Sequence, residues 1–232
     1  MGRNKKIISI GGGGFTHESD KSLDQFILKQ LNIKNLKIGF LPTASKDDNQ
    51  KTNLFYKRFE NVSSELSHFN LCSKIDGFKE WFLSKDLIYV GGGNTFYMLE
   101  IWKKNNLIKI IKEGYNNGIV LSGVSAGAIC WFEQGITDSW AEDLVVMDCL
   151  GFIGGACCPH YDEEPQRKPS LNKLLIKKVL NSCYAVDGGC ALHIQDEKVF
   201  KSVVFSKNKN SFLVELKDNK VVEKPYSTIN IY

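Results

Sequence analysis

The stretch Ile119-Val-Leu-Ser-Gly-Val-Ser-Ala-Gly-Ala-Ile-Cys-Trp-Phe132 organises this chain of 232 residues. The apolar run at its start predicts a buried strand, and Ala126 to Phe132 is predicted to form the first turns of a helix. Between them lies Gly123-Val-Ser-Ala-Gly127, whose G-x-S-x-G spacing is typical of a sharp strand-to-helix turn that presents a nucleophilic serine. The same letters suit a small-residue turn that lets a helix pack on a sheet. The flanking strand and helix favour a nucleophile at Ser125.

Strands and helices alternate along the chain around this turn, which predicts a parallel sheet covered by helices on both faces. The fold class is therefore α/β, a three-layer sandwich with a mainly parallel central sheet. The predicted strands up to the turn and beyond it are 7–10, 37–41, 65–69, 86–90, 119–121, 151–159 and 184–187. Residues 135–148 are acidic and are predicted to be irregular.

From Ala191 onward the pattern changes to short alternating strands. The links at 195–197, 207–210 and 217–219 contain turn-forming residues and predict antiparallel hairpins that extend or flank the main sheet. Because no Pro, Gly or Ser-rich linker separates them from the rest, residues 1–232 are predicted to form a single domain. An exposed edge of these hairpins is compatible with pairing between subunits, so a homo-oligomer is one alternative.

The composition narrows the class of protein. With 43% hydrophobic and 24% charged residues the chain is an ordinary globular sequence, and its net charge of +4 comes from basic residues scattered among acids. We therefore expect no nucleic-acid partner. The sequence contains neither a signal-peptide core nor a run of 18 apolar residues, so no membrane association is expected. Seven cysteines without a C-x-x-C pair favour reduced thiols and a cytoplasmic location.

A serine nucleophile needs a base to accept its proton, and the chain has four histidines. His160 follows the predicted strand 151–159, at the carboxyl end where sites form in parallel sheets, and is predicted to be the base. The alternative is a solvated loop histidine. His68 and His193 lie inside predicted strands and are interpreted as structural, while His17 follows a glycine loop and is placed to line the cleft.

The acid that orients the base is predicted to be Asp187, which ends the strand 184–187 on the same edge of the sheet. Asp162, Glu163 and Glu164 are nearer to His160 in sequence, but neighbours on one loop rarely point at each other's ring. The alternative order serine, acid, histidine, as in α/β-hydrolases, requires His193 as base, and Asp187 then lies too close before it.

Backbone N–H groups complete the predicted site. The N–H of Ala126, after the nucleophile, is one expected oxyanion donor, and Gly92 or Gly93 is expected to supply the other. The glycine-rich loops are also typical of phosphate binding, but Thr16 stands at the last place of the G-x-G-x-x-G pattern and no G-K-[ST] follows. Neither H-E-x-x-H nor paired C-x-x-C is present, so we expect no metal and no cofactor.

Together these motifs resemble the dipeptidase E (aspartyl dipeptidase) and cyanophycinase-like family of serine peptidases. The resemblance covers about residues 85 to 195 and rests on Gly91-Gly-Gly-Asn-Thr95, Gly123-Val-Ser-Ala-Gly-Ala128, Pro159-His-Tyr161 and Asp187-Gly-Gly-Cys-Ala-Leu192. It implies a class I glutamine amidotransferase-like fold, with Ser125 in the place of the cysteine of those enzymes. It implies Ser125 as nucleophile, His160 as base and Asp187 as acid, where dipeptidase E has a glutamate.

Dipeptidase E removes an N-terminal aspartate from small peptides, which suggests where a substrate would bind. Arg167 follows His160 closely and is predicted to offer a fork of donors to a substrate carboxylate; a solvated basic loop is the alternative. Asp138 and Ser139 are placed to receive a substrate ammonium group, and Asn94 is expected to shape the site.

The sequence thus predicts a serine peptidase that hydrolyses short peptides through an acyl-enzyme on Ser125. Two alternatives remain: an esterase or other acyl hydrolase with the same triad, and a non-catalytic binding protein on the same fold.

Overall fold

The helices and strands were assigned in a computed structural model that describes residues 4–15, 21–31, 33–62 and 64–232. In chain order they are β1 Lys6–Ile10, α1 Ser22–Lys29, β2 Leu36–Leu41, a 3-10 turn Thr43–Ser45, α2 Asn49–Phe59, β3 Ser64–His68, α3 Phe78–Leu83, β4 Leu87–Val90, α4 Thr95–Lys104, α5 Leu107–Asn116, β5 Val120–Val124, α6 Ala126–Ile129, β6 Phe132–Thr137, β7 Val145–Asp148, β8 Ile153–Cys158, α7 Arg167–Ile176, β9 Ser182–Val186, β10 Cys190–Gln195, β11 Lys198–Val204, β12 Ser211–Lys217, β13 Lys220–Pro225 and β14 Thr228–Asn230.

The main sheet has eight strands in the order β14-β11-β10-β1-β5-β4-β2-β3. The five strands from β1 to β3 run parallel, and β10 and β11 add antiparallel neighbours beyond β1. This confirms the α/β class with a mainly parallel central sheet and antiparallel strands from the C-terminal part. The carboxyl ends of β1, β4 and β5 lie side by side, which is where a site of a parallel sheet is expected.

A second sheet, which the sequence analysis did not predict, has the order β13-β12-β9-β8-β6-β7. One of its strands, β6, begins at Phe132 because the helix after Ser125 is a single turn and does not reach that residue. The carbonyls of Cys130 and Trp131 accept bonds from the N–H groups of Leu150 and Phe152, so the helix cannot continue. The chain becomes strand β6 instead, and the region predicted to be irregular also contains β7.

Two of the three predicted hairpins are confirmed. β10 and β11 pair antiparallel across the link 195–197, and β12 and β13 pair across 217–219. Asp196 and Glu197 both have positive φ, as the tight mirror-image turns between twisted strands require. The prediction for 207–210 is wrong, because β11 lies in the main sheet and β12 lies in the second sheet.

One apolar core joins the two sheets. Ile7 and Val90 from the main sheet share a cluster of buried side chains with Phe132 and Cys157 from the second sheet. Shared burial of this kind supports the proposal that residues 1–232 form one domain. No helix in the described part of the chain combines the length and apolar character that crossing a bilayer requires.

Candidate active site

Ser125 occupies a strained turn between β5 and α6. Its φ of 57° and ψ of −111° belong to a region that costs a side-chain-bearing residue about 1–3 kcal/mol. A Cβ on Gly123 would lie 2.3 Å from the carbonyl oxygen of Gly127, and one on Gly127 would lie 2.2 Å from that of Val90. The backbone is therefore too close for side chains at either glycine, which is why the G-x-S-x-G spacing suits this turn.

The end of β1 anchors both Ser125 and His160. The N–H of Ser125 donates to the carbonyl of Ile10 at 3.1 Å, and the N–H of His160 donates to the next carbonyl, that of Gly11, also at 3.1 Å. The two residues follow β5 and β8, so they are distant in sequence but attach to consecutive residues of the chain after β1. The structure thus brings the predicted nucleophile and base to one strand end.

A carboxylate contacts the imidazole of His160, and it belongs to Glu163. The Nδ1 atom of His160 lies 2.5 Å from Oε2 of Glu163, and the imidazole-bearing side chain is 14% exposed. The φ of 52° at His160 turns the loop, and the Glu163 N–H donates back to the His160 carbonyl at 3.1 Å. A carboxylate at Nδ1 fixes the tautomer and leaves Nε2 for the reacting groups.

Asp187, which was predicted to hold the imidazole, has a different partner. Its Oδ2 accepts the N–H of Asn210 at 3.1 Å, and its Oδ1 has no hydrogen-bond partner within the described residues. Burial raises the pKa of this carboxyl to about 6. The neighbouring Asp162 accepts the N–H of Gly188 at 2.8 Å and pairs with Lys209, so both aspartates brace the turn beside the site. Asp187 was predicted as the acid because neighbours on one loop rarely point at each other's ring, but the turn at His160 brings the Glu163 carboxylate to the imidazole.

The three backbone N–H groups predicted as oxyanion donors lie in two turns, the one that holds Ser125 and the one after β4. Within the described residues, those of Ala126, Gly92 and Gly93 have no hydrogen-bond acceptor. A Cβ on Gly92 would lie 3.3 Å from the Cβ of Ser125, so the turn after β4 directly contacts the serine. Gly93 follows Gly92 in the same turn, so all three predicted oxyanion donors remain candidates.

The structure brings Asn94 and Ser139 together at the start of α4. Asn94 caps this helix by accepting the N–H of Tyr97 at 2.7 Å, and its Nδ2 donates to the Ser139 carbonyl at 2.6 Å. The Ser139 hydroxyl accepts the N–H of Thr95 at 3.2 Å. Both side chains therefore fix the loop after β6 to the start of α4, while Asp138 in the same loop is exposed.

Arg167 has a different set of partners from the one predicted. It is 4% exposed, its Nε donates to Oε2 of Glu164 at 2.8 Å, and its Nη1 donates to the Ile136 carbonyl at 3.1 Å. These bonds tie the first residue of α7 to β6. A substrate carboxylate would have to displace them, because the guanidinium is not presented to solvent.

His68 and His193, which were predicted to be structural, make packing and hydrogen-bond contacts within the fold. Nδ1 of His68 lies 2.9 Å from the Tyr56 hydroxyl, and the His193 ring packs edge-on against Phe26 and Phe200. Burial lowers the pKa of His193 to about 4, so this ring is neutral near pH 7. Thr16 and His17 lie outside the described residues.

Comparison with known proteins shows that this chain is a serine-type peptidase. It belongs to Peptidase family S51, whose profile matches residues 7–202. This confirms the resemblance to peptidase E-like enzymes.

Relatives and a solved structure support the assignment. The chain is 42% identical over 223 residues to the uncharacterized peptidase YgaJ of Bacillus subtilis strain 168, covering 95% of this chain and 96% of that protein. Peptidase E of Haemophilus influenzae strain Rd is 30% identical over 172 residues, with 68% and 77% covered. The crystal structure of a peptidase from an acI-B1 actinobacterium superposes with a TM-score of 0.75 at 18% identity, covering 97% of this chain and 95% of that one. The fold is therefore shared with a solved peptidase.

Proposed function

We propose that this peptidase hydrolyses short peptides through an acyl-enzyme on Ser125. The observation that carries the proposal is the anchoring of Ser125 and His160 to adjacent carbonyls at the end of β1, with a carboxylate on the far nitrogen of the imidazole. Nucleophile, base and orienting acid are the three parts that activation of a serine hydroxyl requires.

The mechanism follows from these positions. His160 takes the Ser125 proton through Nε2 as Oγ attacks the scissile carbonyl, and it returns that proton to the leaving amine. Glu163 stabilises the imidazolium formed in between. The oxyanion receives hydrogen bonds from the N–H of Ala126 and from Gly92 or Gly93. Water then attacks the acyl-enzyme with His160 as base, which releases the second product and restores the serine.

Short peptides are the proposed substrates because the connections around Ser125 are brief. Residues 91–94 join β4 to α4 directly, and the loop at 138–144 is bound to the start of α4 through Asn94 and Ser139. Neither forms a long wall for an extended polypeptide. A preference for an N-terminal aspartate rests on the resemblance alone, since Arg167 is engaged elsewhere. A cytoplasmic location rests on the free thiols of the sequence.

The test is hydrolysis of dipeptides with varied first residues by the wild type, Ser125→Ala and His160→Ala. We expect measurable turnover for the wild type and at least a 1,000-fold loss in each variant. Short-chain esters assayed in parallel separate a peptidase from an esterase: faster ester hydrolysis with no dipeptide turnover favours the esterase. A dipeptide rate unchanged by either substitution refutes the mechanism.

A further inference from the structure

Lys51 reaches from α2 to the glycine turn beside the nucleophile. Its side chain is half-buried, and its Nζ donates to the carbonyl oxygen of Gly92 at 3.0 Å. A lysine in the first turn of a surface helix ordinarily extends into water, so a bond to a backbone carbonyl next to Ser125 calls for an explanation. The mechanism above makes no use of this residue.

The bond from Lys51 to the Gly92 carbonyl also fixes the direction of the next N–H group, that of Gly93. The carbonyl of Gly92 and the N–H of Gly93 belong to one peptide unit, which is trans, so they point in opposite directions. An ammonium that holds the carbonyl toward α2 therefore directs the Gly93 N–H away from α2. That N–H has no acceptor within the described residues, whereas the next one, of Asn94, donates to the Ala44 carbonyl at 2.7 Å.

The turn is enclosed on its other sides. Gly93 has a φ of 145°, and a Cβ there would lie 2.2 Å from the Ala44 oxygen, so the residue packs against the 3-10 turn. Gly92 contacts Ser125, as its Cβ position shows. The peptide unit that joins Gly92 to Gly93 is thus enclosed by α2, the 3-10 turn and Ser125, and its N–H is the group without an acceptor among the residues that the structure describes.

Two adjacent glycines rotate easily, and a peptide flip would turn the N–H away from an oxyanion. The bond from Lys51 opposes such a flip, and its positive charge polarises the peptide so that the N–H becomes a stronger donor. We propose that Lys51 is a positioning residue that holds the Gly93 N–H as the second oxyanion donor. This proposal rests on the proposed function and selects Gly93 rather than Gly92 for that role.

The experiment compares Lys51→Met, Lys51→Arg and the wild type in dipeptide hydrolysis. Removal of one oxyanion donor typically costs 100- to 1,000-fold in kcat, and Lys51→Met leaves the donor present but unsupported, so we expect a loss of about 10- to 100-fold. KM should change less than about threefold, because the hydrogen bond forms in the transition state. Lys51→Arg keeps a charged donor and should retain kcat within about threefold.

The matched control is Lys57→Met, which removes an exposed lysine from the same helix and should leave kcat and KM unchanged. Thermal unfolding of all variants identifies any loss of structure. If Lys51→Met does not fold, Lys51→Gln keeps a neutral donor of similar size and should give an intermediate kcat.

A fluorophosphonate supplies a second measurement, because the phosphoryl oxygen of the adduct occupies the oxyanion position. Lys51→Met should slow labelling of Ser125 about tenfold relative to the wild type and Lys57→Met. An active wild type with unchanged kcat and labelling in Lys51→Met, or with an effect on KM alone, overturns the role of Lys51 and leaves the proposed function intact. A wild type that neither hydrolyses dipeptides nor reacts with the probe overturns both.

Discussion

Replacing Glu163 by glutamine tests which carboxylate orients the base. The amide keeps the size of the side chain but removes the negative charge 2.5 Å from Nδ1 of His160. Two unit charges about 4 Å apart attract by about 1 kcal/mol in water and about 4 kcal/mol near a protein surface. The Glu163 side chain is 43% exposed, so water partly screens its charge. We therefore take an intermediate value of about 2–3 kcal/mol for the attraction between its carboxylate and the His160 imidazolium. We therefore expect kcat to fall about 100-fold.

The assay is steady-state hydrolysis of the best dipeptide near pH 8, with Asp187→Asn as the competing variant. Asp187 accepts no hydrogen bond from His160 within the described part of the chain, and its Oδ2 is bound to the Asn210 N–H. The carboxamide should therefore reduce kcat far less than the change at Glu163. The reverse result, a normal Glu163→Gln and a strongly impaired Asp187→Asn, would refute the reasoning from the structure. It would restore the acid that the family resemblance implies.

Three further predictions concern stability. Ser125→Gly should abolish hydrolysis yet raise the free energy of unfolding by about 1–2 kcal/mol, since glycine relieves the backbone strain at φ 57°; an unchanged or lower melting temperature contradicts this. Asp187→Asn should be more stable than the wild type at pH 8 by on the order of 1–2 kcal/mol in urea denaturation, and the difference should disappear near pH 4. In the folded wild type the pKa of Asp187 is raised to about 6, so the wild type loses stability as the pH rises through that value. An equal gain in stability at both pH values would contradict the raised pKa of Asp187. His193→Gln should lose less stability than the wild type between pH 6.5 and 4, because the buried ring has a pKa lowered to about 4 and the unfolded chain takes up the proton first. Titration of Asp187 changes the free energy of unfolding in the opposite direction over part of this range, so His193→Gln is compared with the wild type at each pH. Parallel curves of unfolding free energy against pH would contradict a neutral, buried His193 ring.

The parts of the fold that depend on local pattern were predictable. Helices α4 and α5 lie between β4 and β5, as the predicted alternation of strands and helices requires between the predicted strands 86–90 and 119–121. The structure after Ser125 was not predictable in this way, since a short apolar run fits one helical turn followed by a strand as well as a longer helix. The choice depends on hydrogen bonds that the N–H groups of residues 150, 152 and 153 donate to the carbonyls of Cys130 and Trp131, and these partners are distant in sequence.

The site shows the same division. The spacing around Ser125 and the position of His160 after a strand indicated the two residues that β1 anchors. Glu163 was not predicted as the acid because neighbours on one loop rarely point at each other's ring, whereas the positive φ at His160 turns this loop so that they do. The spacing H-x-x-E, which joins side chains across one turn, was the available signal. The pair Glu164 and Arg167 has the same spacing, which was a reason to expect Arg167 to be occupied.

The attachment of Ser125 and His160 to successive carbonyls of β1 has a consequence for biosynthesis. β1 is made before either neighbour, and one of its two partners in the sheet, β10, is made long after Ser125 has left the ribosome. A nascent chain that stops short of residue 190 contains Ser125 and His160, but its β1 lacks the neighbouring strand β10. Proteolytic competence should therefore arise late in translation, when most of the polypeptide is already able to fold.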